Sequence, residues 1–123
     1  MKRRRVFGPE GLERRRAQRI PARGGVPLVS VVGAELLRVS PYGMMIESPL
    51  PLEVDSVLKL RLIVAGEKAD VEARVAACAL GTTGDRRRFG VGLEFTRIAP
   101  KVRARLAQVL ADARDAAAAE RLG

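Results

Sequence analysis

Between residues 27 and 95 apolar and polar side chains alternate with a period of two, and from residue 100 the period lengthens to that of a helix. The clearest strand is residues 57–64, where Leu58, Leu60 and Leu62 alternate with Lys59 and Arg61, the mark of a half-buried strand. Residues 69–80 repeat the pattern at Val71, Ala73 and Val75 against Glu72 and Arg74. Residues 27–32 and 35–39 flank Gly33-Ala34 and predict a hairpin. Gly43 opens a strand over 44–48 that Pro49 and Pro51 break. Ala65-Gly66-Glu67 and residues 81–85 read as turns, and 88–95 as the last strand. Beyond Pro100, which suits a first helical turn, Val102, Leu106, Val109, Leu110 and Ala113 recur at helical spacing. The prediction is a mainly β fold: a six-stranded antiparallel β-barrel, which leaves no free edges, followed by one C-terminal α-helix. An open, sandwich-like sheet with the helix across it is the alternative.

Composition narrows this picture. Hydrophobic residues make up 47% of the 123 residues but aromatics only 3%, so one core built of Val, Leu, Ile and Ala is expected. The net charge is +9, and nine cations within residues 1–25 against Glu10 and Glu13 put +7 of it there. That segment also holds Gly8-Pro9, Pro21 and Gly24-Gly25, and little periodic apolar content. It reads as a flexible basic N-terminal arm (1–25), with a short helical turn near Glu13 to Gln18, before a β-barrel domain (26–98) and a C-terminal helix (99–121). Such an arm suits a polyanionic partner.

The chain has no His and one Cys, which argues against zinc sites and the commonest general base. Cys78, within an apolar run, reads as a small core residue. No apolar stretch approaches transmembrane length, so the expectation is a cytoplasmic protein that does not span a membrane.

Candidate binding residues lie in two places. Arg15 and Arg19, four apart, share a face whether helical or extended, and their planar donor forks suit phosphate oxygens and the O6/N7 edge of guanine. Ser40-Pro41-Tyr42-Gly43 has the residue types of a tight turn that exposes a hydroxyl and leaves room beside Gly43.

Glu13-Arg14-Arg15-Arg16-Ala17-Gln18-Arg19-Ile20-Pro21 resembles the Arg-x-x-x-Arg opening of PilZ domains. Ser40-Pro41-Tyr42-Gly43 and the strand after it are similar to their second signature, Asp/Asn-x-Ser-x-x-Gly. Phe89-Gly90-Val91-Gly92-Leu93-Glu94-Phe95 resembles their closing strand. The resemblance implies a six-stranded barrel that binds cyclic di-GMP, with no cofactor and no catalysis, and passes that state to a protein partner. It places Arg15 and Arg19 on guanine edges and phosphates, Arg14 on a phosphate, Ser40 on the ligand and Gly43 at a close approach. The departure is Arg38, where the family has an acceptor. Arginine offers only donors, so a hydrogen bond to the guanine Watson–Crick edge is lost, about 1.5–3 kcal/mol or ten- to hundredfold in affinity. Arg38 can offset part of this by holding a phosphate or stacking on a base.

The rival to a nucleotide receptor is therefore a degenerate domain that binds only a protein partner. Nonspecific nucleic-acid binding is disfavoured because three Phe, one Tyr and no Trp leave few stacking platforms. Plainer readings also stand: a solvated arginine run, a simple turn at Ser40, an Arg38 salt bridge to Glu35 or Glu47, and solvent-facing Arg86, Arg87 and Arg88.

Overall fold

A computed structural model of the chain describes residues 18–83 and 86–122. Its strands are β1 (Gln18–Arg19), β2 (Ala22–Arg23), β3 (Val26–Pro27), β4 (Val29–Val31), β5 (Glu35–Ser40), β6 (Gly43–Ser48), β7 (Val57–Val64), β8 (Glu67–Thr83) and β9 (Arg86–Arg97), and the helix is α1 (Pro100–Leu122). Seven strands form one antiparallel sheet in the order β1-β5-β6-β9-β8-β7-β4, while β2 and β3 pair separately. The six predicted strands are all present, and the sheet curls into a nearly closed barrel with one C-terminal helix.

Alternation decides the inside. In β7, Leu62 and Val64 are buried while Lys59 and Arg61 are exposed. Val29, Val39, Met44, Val75, Val91 and Leu93 complete a core in which Phe95 is the one aromatic among the described buried residues. Cys78 packs against this core. At seventeen residues β8 serves two neighbours, β7 over residues 67–74 and β9 over residues 72–83, and two irregularities in its ladder with β9 add the bend that curls the sheet.

The helix lies across one end of the barrel. Leu106 and Leu110 are buried and Val109 packs beside them, so the predicted stripe faces the core. Each buried leucine contributes about 1.5–3 kcal/mol. Arg105 Nη1 pairs with Glu67 Oε1 at the β7–β8 turn, tying the helix to the rim.

Three expectations are corrected. The segments around Gly33-Ala34 are not hairpin partners: β4 pairs with β7, and Val32 N–H continues that edge to Arg61 O at 2.9 Å, while β5 pairs with β6 and β1. The turn at Gly33 instead carries the chain between the two ends of the sheet. Gly81, Thr82 and Thr83 are strand rather than turn, because cross-strand pairing to Arg88, Arg87 and Arg86 continues the ladder. The arm is also shorter than 1–25. Gln18 and Arg19 pair with Val39 and Arg38, Ile20 packs on the core, and Pro21 is buried. The free edge of β5 supplies hydrogen bonds that local composition does not reveal. The helical turn foreseen near Glu13 lies outside the described residues up to Ala17, and Gln18 is extended.

Candidate functional site

The sheet brings the two motifs together. In the β1–β5 ladder Arg19 stands directly opposite Arg38, and Arg38 in turn opposite Met45 of β6. Positions opposite one another in a ladder share a face of the sheet. Arg14 and Arg15 lie outside the described residues.

A shift of register between Leu36 and Arg38 shapes this edge of the site. The extra residue, Leu37, breaks simple alternation, so that Leu36 and Val39 both face the core while Arg38 is half-buried. Arg38 thus lies between a core residue, Val39, and the bulge.

Ser40 is fully buried, contrary to the exposed hydroxyl expected of it. Its Oγ accepts the N–H of Tyr42 at 3.2 Å and donates weakly to the Gly43 carbonyl at 3.5 Å. The hydroxyl therefore shapes the turn in this structure. Gly43 is buried too, directly opposite Ser40 on one side and Glu94 on the other. The outermost part of the turn is Tyr42, half of whose surface is exposed.

Two neighbours of the turn were not legible in the sequence. Arg103 of α1 donates from Nη1 to Pro41 O at 2.9 Å, and its guanidinium carbon lies 5.2 Å from the Tyr42 ring centroid. Phe95 N–H donates to Tyr42 O at 3.0 Å, so the turn is held from β9 as well. Glu94 puts a carboxylate beside Gly43, and Arg74 neutralises it from β8 with Nη2 2.5 Å from Glu94 Oε1, its Nη1 reaching Asp55 at 2.8 Å. The bond to Glu94, foremost, holds the Arg74 guanidinium above its ordinary pKa, against the opposing effect of burial.

On β9, Arg86 and Arg87 are exposed, while Arg88 is half-buried with Nε 3.6 Å from Glu47 Oε2. Glu47 itself lies opposite Glu35. Guanidinium donors from α1, β8 and β9 thus lie around the turn and along β6, two of them paired with the carboxylates Glu94 and Glu47.

No helix among the described residues is long and apolar enough to cross a membrane. No curated protein and no solved structure matches the chain. A family model, the PilZ domain, matches residues 13–112, spanning the second half of the basic arm, the whole barrel and the buried turns of α1. With that match over most of the chain and a barrel of this topology, the chain belongs to the PilZ domain family.

Proposed function

We propose that the protein is a cyclic di-GMP receptor or adaptor that acts without catalysis and relays ligand occupancy to a protein partner in the cytoplasm. The observation that carries this reading is the β1–β5 register, with Arg19 opposite Arg38, two residues before Ser40. A dianionic ligand at this edge would draw Arg14 and Arg15 onto its phosphates and guanine edges. Ordering of the charged arm then changes the surface a partner meets. Ser40 shapes the turn, and Gly43 leaves it without a side chain at the sheet edge.

A second reading is favoured by Arg38 itself: a domain that has lost the nucleotide and keeps only the protein contact. Calorimetric titration with cyclic di-GMP, run on the wild type and on Arg15→Ala and Arg19→Ala, separates the two. Heat that disappears in the variants supports the receptor. No heat and no amide shift changes at millimolar ligand support the interaction module. A salt series against random duplex DNA covers the remaining class, because binding through many phosphates falls roughly 10³–10⁵-fold between low and moderate salt, whereas two phosphates give a shallow slope.

A further inference from the structure

The Ser40 turn is not a free loop, and what restrains it comes from the far end of the chain. Arg103 lies 62 residues beyond Pro41, yet its Nη1 reaches the Pro41 carbonyl at 2.9 Å and its guanidinium sits over Tyr42 at 5.2 Å. The first contact is a charge-assisted hydrogen bond to the turn's backbone, and the second is within the range of a cation–π contact. Arg103 is itself rigidly based. Its N–H and that of Val102 both donate to Ala99 O at 3.0 Å, and Leu106, one turn on, is fully buried. Arg105 fastens the same helical turn to Glu67 at the β7–β8 turn. Arg103 thus joins the turn to the helix by two contacts.

We infer that Arg103 is a positioning residue for the ligand site, and that it makes α1 the element through which occupancy of the Ser40 turn is transmitted. Its direct consequences are two. The turn is held in one shape before ligand arrives, so less ordering is required on binding. By reciprocity, a ligand that tightens the turn also tightens the first turns of α1, and a partner that pulls on α1 changes ligand affinity by the same factor. The ligand half of this inference rests on the receptor reading; the mechanical link between turn and helix does not.

The test uses the full chain, with Arg103→Met to remove charge and donors while keeping the stem, and Arg103→Lys to restore a charged donor. Amide hydrogen exchange in the absence of ligand judges the link alone. In Arg103→Met the amides of Tyr42 and Phe95 should exchange at least about fivefold faster, those of the central β8 strand should be unchanged, and Arg103→Lys should recover part of the protection. Titration with cyclic di-GMP judges transmission. Wild-type α1 amides near Val102 and Arg103 should gain protection on binding, while Arg103→Met should bind about five- to tenfold more weakly and lose that gain. If the ligand-free exchange of Tyr42 and Phe95 is unchanged in Arg103→Met, or rises uniformly with that of the whole barrel, the positioning role is overturned. If wild type binds and α1 protection rises equally in the variant, transmission through Arg103 is overturned. If nothing binds in any form, the receptor reading and transmission fall together, while exchange still decides the link.

Discussion

Arg74 and Glu94 stand directly opposite each other on β8 and β9, with Arg74 Nη2 2.5 Å from Glu94 Oε1. Because Glu94 is also opposite Gly43, this pair keeps a carboxylate beside the Ser40 turn from presenting an uncompensated negative charge. Both side chains are about 30% exposed, so the pair is neither fully screened nor fully desolvated. Arg74→Met should cost about 1 kcal/mol in urea denaturation. It should also weaken binding of an anionic ligand at low salt more than at high salt. Equal stability in variant and wild type would show that water already screens the contact.

Arg38 allows a direct test of what the site has lost. Arg38→Asp restores an acceptor for the guanine edge and should strengthen cyclic di-GMP binding roughly ten- to hundredfold in calorimetry. Weaker affinity would mean that Arg38 is itself a ligand contact, and unchanged affinity that the site fails for another reason.

The β7–β8 hairpin carries a local conflict. Its two-residue turn has φ of 49° at Ala65 and 86° at Gly66, a pair of positive values that Gly or Asn adopts with less strain than Ala. Ala65 N–H donates to Leu28 O at 2.8 Å, a bond that any non-proline residue keeps. Ala65→Gly or Ala65→Asn should therefore raise stability by about 0.5–1 kcal/mol, read from the denaturation midpoint. A lower midpoint in both would contradict the strain at this position.

Acid sensitivity has an identifiable contributor. Arg61 Nε lies 2.8 Å from Asp70 Oδ1, and this hydrogen bond, with the attraction of opposite charges, holds the Asp70 carboxyl below its ordinary pKa. A depressed folded-state pKa stabilises the protein above the unfolded value, near 4, and the contribution is lost as pH falls through the folded value. Asp70→Asn should lower stability slightly at neutral pH and reduce its decline below about pH 4. An unchanged acid limb would show that other carboxylates govern it.

The arm separates binding from folding. Deleting residues 1–12 should leave the thermal midpoint within error, since they precede every strand described. Deleting residues 1–20 should lower it, because the cut removes β1 from the edge of β5 and Ile20 from the core surface. Equal midpoints for the two truncations would mean that β1 adds nothing to the barrel.

Sequence alone determined the parts whose cause is local. The alternation of Leu58, Leu60 and Leu62 with Lys59 and Arg61 was enough for β7, and Ala65-Gly66 for its turn, because side-chain direction and turn conformation depend on neighbours within a few residues. The helical stripe through Leu106 and Leu110 was legible for the same reason. The motif resemblance also pointed correctly to the family. What only the tertiary structure decided was which edges meet. The pairing of β4 with β7, the seating of Arg19 opposite Arg38, the burial of Ser40 and the reach of Arg103 to Pro41 all join distant stretches of chain. Backbone donors and acceptors are chemically alike at every residue, so no local pattern says which edge will take them. That choice is made when the barrel curls and its apolar faces must all be buried at once.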